Sequence, residues 1–157
     1  MVRPDQAGMD ITVHSLLDIL ILFGWVVLAS VLVVIIHEAI HGVFFWLFTG
    51  SRPIFAFKGA YAYAAAPGWY LPRGAYMLTG LAPLVILSLA GLVVLAVAPA
   101  SWLTLITLAL VINASGSVGD LAAVIWLARQ PINCLAQDFG DRIEIYLPLE
   151  KGSLESE

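Results

Sequence analysis

The chain has 157 residues, of which 61% are hydrophobic and only 11% are charged, whereas about a quarter of the residues of a soluble domain are charged. This composition excludes an ordinary soluble domain and predicts a membrane protein with one compact domain, surrounded by a lipid bilayer. The net charge of −4 and the absence of a basic run exclude nucleic acid as a partner. Composition leaves the oligomeric state open.

Three segments are apolar over more than the roughly 18 residues that a membrane-spanning helix requires. They are expected at about 15–48, 77–98 and 102–128. The first is too long for one perpendicular crossing, so we expect it to tilt, to protrude or to bend near Gly24. The alternative is that this segment forms two spans. The predicted fold class is an all-α membrane protein with about three transmembrane helices, the last two forming an antiparallel hairpin.

The loop between the first two segments, at about 51–75, contains aromatic residues that alternate with small ones around a Lys-Gly pair. This pattern predicts a short membrane-associated β-hairpin at about 54–65. The alternative is a plain loop whose aromatic side chains anchor it among the lipid headgroups. In the C-terminal tail, alternation at 143–147 predicts one short strand, and the last residues, 151–157, are expected to be disordered.

Lysine and arginine placement predicts the orientation of the chain. Six of the seven basic residues lie in the central loop and the tail, and Arg3 lies on the other side. The positive-inside rule therefore places the N-terminus outside and the C-terminus in the cytoplasm. The expected organisation is an outer segment at 1–14, a membrane-embedded core at 15–130 and a cytoplasmic tail at 131–157.

The first apolar segment carries the sequence HEAIH, with His37, Glu38 and His41. On a helix, histidines at positions i and i+4 point to one face about 6 Å apart, which suits a shared Zn²⁺. Glu38 lies beside them and is placed to take a proton from water activated by the metal, as in zinc metallopeptidases. Polar residues that only hydrogen-bond neighbouring helices are the alternative, but ionisable groups at membrane depth are costly and favour a functional role.

A catalytic zinc usually has three protein ligands, and Asp120 is the one carboxylate inside another predicted span. At 1.5 Å per residue, the depths of His37 and Asp120 differ by only about 5 Å. Asp120 shares a polar helix face with Asn113, Gly116 and Ser117. This face is either a packing seam, with Asp120 as an interhelical hydrogen bonder, or the source of the third ligand. Asn113 is placed to donate hydrogen bonds to substrate or to a developing oxyanion.

At HEAIHG (37–42) and NASGSVGD (113–120), the chain resembles the membrane-embedded zinc proteases of the site-2 protease type, and more closely the "putative zincin peptidase" membrane family. The resemblance implies His37, His41 and Asp120 as zinc ligands and Glu38 as the base. It further implies that the hairpin holds substrate as an added β-strand. The substrate-binding candidates are therefore Asn113, Phe55, Phe57, Tyr61 and Tyr63.

The leading hypothesis is an intramembrane zinc metalloendopeptidase that cleaves a membrane-embedded or membrane-proximal segment of a protein or peptide, with Glu38 as general base. The alternative is a non-catalytic zinc-binding membrane protein that acts as a structural or partner-binding module. A third interpretation has no metal. Structural zinc sites commonly have four protein ligands, and the sequence offers no obvious fourth ligand at this depth, which favours the open, catalytic site.

Overall fold

The computed structural model describes residues 15–59 and 61–147. The predicted outer segment, 1–14, and the predicted disordered residues, 151–157, lie outside this part. The described chain is mostly helical, as predicted, with two small antiparallel sheets. Its elements are α1 (Leu16–Thr49), β1 (Ile54–Phe57), β2 (Ala62–Ala65), β3 (Tyr70–Pro72), α2 (Arg73–Val97), α3 (Leu103–Gly116), α4 (Val118–Ala128), β4 (Leu135–Asp138) and β5 (Ile143–Tyr146), with a short 3₁₀ helix at Ala100–Trp102.

Helix α1 is one element of 34 residues that continues through Gly24. At its start, Asp18 N–H donates to Ser15 Oγ at 3.2 Å and Ser15 N–H donates to the Asp18 carboxylate at 2.9 Å, a reciprocal cap of the first turn. At its end, Gly50 has φ +67° and donates to Trp46 O. This left-handed residue terminates the helix because glycine adopts positive φ without steric cost.

Helix α2 begins at Arg73, four residues before the predicted position, and contains Pro83. The predicted third helix is interrupted: α3 ends at Gly116 and α4 begins at Val118, with a bend of 41° between them. At the break, Ser117 Oγ donates to Asn113 O at 2.8 Å. A serine that bonds the carbonyl four residues earlier often bends a helix, and here this bond lies at the interruption.

The predicted hairpin is confirmed. Strands β1 and β2 pair antiparallel, with Phe55 opposite Ala64 and Phe57 opposite Ala62. The predicted C-terminal strand is confirmed as β5, but it belongs to a three-stranded sheet, in the order β3-β4-β5, that the sequence did not predict. Within the described residues, β5 therefore pairs with β4 and not with the hairpin.

By its packing the chain divides into two compact units. One contains the described residues up to His37 together with Pro83–Val118. In this unit Gly91 gives room for the Leu110 side chain on the facing helix, because a Cβ at Gly91 would lie 3.0 Å from Leu110 Cγ. The other contains the described residues of Glu38–Ala82 and those of 119–147. The buried apolar cluster of this second unit comprises Phe45, Ala64, Ala66, Leu71, Tyr76, Leu127, Cys134 and Ala136.

Candidate metal centre

The two histidines of α1 are the buried polar residues of a helix whose outer surface is apolar. His37 and His41 are each 7% exposed, whereas Ile35 and Val43 on the same stretch are 59% and 50% exposed. Their spacing of one helical turn places both imidazoles on one face. This face of α1 is therefore turned toward protein, and the remainder of the helix presents aliphatic side chains.

The hydrogen bond of His41 determines which ring nitrogen can bind a metal. Its Nδ1 lies 3.0 Å from the main-chain oxygen of Thr79 in α2. A carbonyl oxygen only accepts, so Nδ1 carries the proton and the neutral ring has its lone pair on Nε2. Nε2 lies 3.4 Å from Oδ1 of Asp120. His41 thus directs its metal-binding nitrogen toward the carboxylate.

His37 has the same arrangement with a side-chain acceptor. Its Nδ1 lies 3.1 Å from Oδ1 of Asn113, and the amide nitrogen of Asn113 donates to Ser88 Oγ at 3.5 Å. Asn113 is 2% exposed. The structure therefore gives Asn113 a contact that the sequence did not suggest, because its oxygen accepts from His37. Its predicted role as a donor to substrate stays a prediction.

Asp120 lies in the first turn of α4, immediately after the break at Ser117. A carboxylate is stabilised in the first turn of a helix by the helix dipole. One ligand atom from each of His37, His41 and Asp120 lies within 4.8 Å of the other two. The structure thus brings together the three residues that the sequence singled out as ligands.

This group has the donor chemistry of a catalytic zinc site. Two imidazoles and one carboxylate give three protein ligands, which leaves a coordination position for water or substrate. Both imidazoles donate Nδ1–H to an oxygen, an outer contact that fixes the tautomer of metal-binding histidines. Among the described residues no other His, Cys, Asp or Glu joins the group. The residues present therefore fit a zinc ion.

Glu38, the predicted base, is held by the hairpin. Its Oε2 accepts a hydrogen bond from the main-chain N–H of Ala64 in β2 at 2.8 Å. The pairing of the hairpin can be counted from its turn, where Lys58 N–H donates to Tyr61 O. Hydrogen-bonded and non-hydrogen-bonded pairs alternate along an antiparallel ladder, so Ala64 and Phe55 form a non-hydrogen-bonded pair. Its N–H therefore points away from β1, toward Glu38.

The four aromatic residues predicted to bind substrate have different surroundings. Phe55 packs against Gly42 of α1, where a Cβ would lie 2.8 Å from Cε1 of the ring. Tyr63 packs against Gly140 in the turn between β4 and β5, where a Cβ would lie 2.7 Å from its Cζ. Phe55 nevertheless remains 56% exposed, and Phe57 and Tyr61 are 73% and 46% exposed. Two of the four side chains are thus engaged in packing within the protein.

A buried acid that the sequence did not single out lies at the end of β4. Asp138 accepts a hydrogen bond from the Tyr76 hydroxyl at 2.5 Å and another from Gly140 N–H. Burial raises the pKa of the Asp138 carboxyl above its usual range, and these two hydrogen bonds oppose the shift. In the sequence, Asp138 is one of several acids in the tail, and no pattern marks it.

The comparison with known protein families agrees with this geometry. The family model described as "Putative zincin peptidase" matches residues 30–135, about two-thirds of the chain, and the matched region includes both histidines, Glu38 and Asp120. No curated protein and no solved structure matches the chain significantly. A family model that covers this much of the chain establishes membership. The chain therefore belongs to the family of zincin peptidases that this model describes.

Proposed function

We propose that the chain is an intramembrane zinc metalloendopeptidase of the site-2 protease type, which hydrolyses peptide bonds in membrane-embedded or membrane-proximal segments. The observation that carries the proposal is the convergence of His37, His41 and Asp120, whose ligand atoms lie within 4.8 Å of one another. Glu38 is adjacent to the first ligand in sequence. Membership in a zincin peptidase family supports the same chemistry.

Helix length and surface support the membrane setting. Helices α1 and α2 are long and apolar enough to cross a bilayer, and Ala100–Gly116 with Val118–Ala128 is a third candidate if the bent pair is one span. At 1.5 Å per residue, α1 would extend about 51 Å, well beyond a hydrocarbon core about 30 Å thick. A tilted or protruding α1 accommodates this length. The proposed orientation has the N-terminus outside and the C-terminus in the cytoplasm.

In the proposed reaction, His37, His41 and Asp120 hold the zinc ion. When bound, zinc would lower the pKa of water and polarise the carbonyl of the scissile bond. Glu38 accepts the proton of the attacking water and delivers it to the leaving amine. The Ala64 N–H contributes by holding the Glu38 carboxylate in one orientation.

The hairpin is the proposed holder of an extended substrate segment. The exposed side chains Phe55, Phe57 and Tyr61 supply the apolar contact area. One edge of Phe55 also packs against Gly42, and Tyr63 packs against Gly140. Peptide bonds within a helix are shielded by their own hydrogen bonds, so a helical substrate must unwind before it is cleaved. A strand edge offers the unwound segment replacement hydrogen-bonding partners.

Zinc content is the first test of the proposal. We expect about one zinc per chain in detergent-purified wild-type protein by elemental analysis, and loss of zinc in both His41→Ala and Asp120→Ala, because three ligands are needed for tight binding. Retention of zinc in Asp120→Ala would move the third ligand elsewhere. Absence of zinc from the wild-type protein, even after supplementation, would contradict the proposal.

Activity is tested by comparing the peptide termini found by mass spectrometry in membranes that contain either the wild-type chain or Glu38→Gln. We expect new termini with the wild type only, while both proteins retain zinc. Glu144→Gln is the matched control, since Glu144 is a partly exposed acid outside the candidate centre that is bonded to Arg142. Identical termini with wild type and Glu38→Gln, together with full zinc content, would show a non-catalytic zinc-binding protein instead.

A further inference from the structure

Pro83 lies inside α2 and is among the most completely buried side chains of the described chain. Proline has no main-chain N–H, and its ring displaces the carbonyl of the residue four positions earlier. In α2 that residue is Thr79. An ordinary residue at position 83 would donate to Thr79 O and keep this carbonyl within the helix ladder. The proline therefore makes one specific carbonyl available to a donor outside α2.

The donor at this carbonyl is His41. Its Nδ1 lies 3.0 Å from Thr79 O, and Thr79 is 2% exposed, so the contact is shielded from water. The Thr79 hydroxyl is engaged elsewhere, because it donates to Ala75 O at 2.9 Å. His41 is therefore held through the main chain of α2, at the position that the proline exposes.

We infer that Pro83 is a positioning residue for the metal centre: it presents Thr79 O to His41 and thereby fixes the tautomer that directs Nε2 toward Asp120. The inference rests on the proposed zinc site and adds to it a residue that touches neither metal nor substrate. An interior proline is costly to a helix, and within a bilayer a carbonyl released from the ladder needs a protein donor. His41 supplies that donor, and Thr79 O in turn supplies the acceptor that the Nδ1–H of His41 requires.

The test is Pro83→Ala, which restores an N–H to α2. We expect zinc affinity to fall by about 10-fold or more, as is typical when the outer partner of a ligand histidine is disturbed. Affinity is measured by competition with a chromophoric chelator in detergent. In the metal-free protein, ¹⁵N NMR of the imidazole of His41 should change from the Nδ1–H tautomer alone to a mixture of both tautomers, since Thr79 O is then shared with the helix.

Two further variants control for the general effects of proline. Pro99→Ala removes a proline from the turn before the 3₁₀ helix and should leave zinc affinity and the His41 tautomer unchanged. The double variant Ala82→Pro with Pro83→Ala keeps a proline in the same turn but exposes the carbonyl of Leu78. We expect it to bind zinc as weakly as Pro83→Ala.

Zinc affinity within twofold of the wild type in Pro83→Ala, with an unchanged tautomer, would overturn the inference. If that variant does not fold, the wild-type spectrum decides, because a His41 ring protonated on Nε2 in the metal-free protein contradicts the inference and one protonated on Nδ1 supports it. Failure of the proposed function can be distinguished from failure of this inference. A wild-type protein that binds no zinc would overturn the metal centre, while its His41 tautomer would still report on the contact with Thr79.

Discussion

Each histidine of the candidate centre is oriented by an oxygen that is not itself a proposed metal ligand. Asn113 supplies this oxygen to His37 through its side chain, and Thr79 supplies it to His41 through its main chain. A side-chain oxygen can be removed by mutation, whereas a main-chain oxygen cannot. Asn113 is therefore the position at which the contribution of an outer hydrogen bond is directly measurable.

We predict that Asn113→Leu lowers zinc affinity by about 10-fold, because His37 loses the acceptor that fixes its tautomer. Asn113→Asp keeps an acceptor oxygen in the same place and should bind zinc more tightly than Asn113→Leu. Chelator competition in detergent measures both. Ser88→Ala removes the 3.5 Å contact of the amide nitrogen and serves as the control with a smaller effect. Equal affinity in wild type and Asn113→Leu would contradict this role.

The sequence alone predicts those site residues whose relative positions are determined by helix geometry. His37, Glu38 and His41 are fixed relative to one another by the pitch of α1, and Asp120 could be matched to them by depth. The oxygens that orient the histidines could not be predicted, because they depend on which helix faces pack together. Pro83 was a visible signal, since a proline inside an apolar span requires an explanation.

At the level of elements, the β1–β2 hairpin orients Glu38, and it is held by the turn between β4 and β5. Tyr63 packs against Gly140, whose φ of +85° also favours glycine. Lys58 and Asp141 form an ion pair at 3.0 Å, but both side chains are nearly half exposed, and pairs of this kind contribute little. The packing of Tyr63 on Gly140 is therefore the stronger attachment.

We predict that Ala64→Pro lowers kcat by about 10- to 100-fold with KM within a few-fold, since it removes the N–H that orients Glu38. Position 64 tolerates proline in the ladder because its N–H does not pair with β1. The assay uses an internally quenched peptide spanning a cleavage site identified in membranes. Zinc content should remain at one per chain, which separates this effect from loss of the metal.

The matched control is Ala62→Pro, which also removes an N–H that points away from β1. We expect its kcat to stay near the wild-type value. An equal loss of kcat in both variants would show that proline disturbs the hairpin as a whole, and an unchanged kcat in Ala64→Pro would show that this N–H does not orient the base.

Hairpin and helices were predictable as elements because their signals are local. The alternation around Lys58-Gly59 predicts a turn with paired strands, and long apolar runs predict helices. Strands β3 and β4 were missed because β3 is three residues long and pairs with a partner more than 60 residues away, Tyr70 with Gln137. The interruption lies at Ser117, where the side chain bonds Asn113 O, a contact that apolar periodicity does not reveal.

For the whole molecule, the candidate ligands come from two helices far apart in sequence: both histidines from α1 and Asp120 from α4. A metal bound by both helices would oppose their separation. Because such a site is absent from the unfolded chain, zinc binding and folding are coupled.

We predict that zinc raises the unfolding temperature of the wild-type protein in detergent. A free concentration 100 times the Kd corresponds to about 2.7 kcal/mol of added stability, if zinc binds only the folded chain. Asp120→Ala and His41→Ala should show little or no shift, and Glu144→Gln should respond like the wild type. Differential scanning fluorimetry with a thiol-reactive dye is suited to this test, since Cys134 is buried. Equal shifts in all four proteins would indicate zinc binding outside the candidate centre.

The contact between Gly42 and Phe55 has a consequence for natural sequence variation. Gly42 directly follows the second histidine and could be taken for part of the metal-binding motif. In the structure it provides space for the Phe55 ring of the hairpin. A larger residue at position 42 should therefore require either that the Phe55 ring moves or that the residue at position 55 is smaller. Relatives of this chain that carry a larger residue at position 42 should then more often carry a smaller one at position 55, while His37, Glu38 and His41 remain the same.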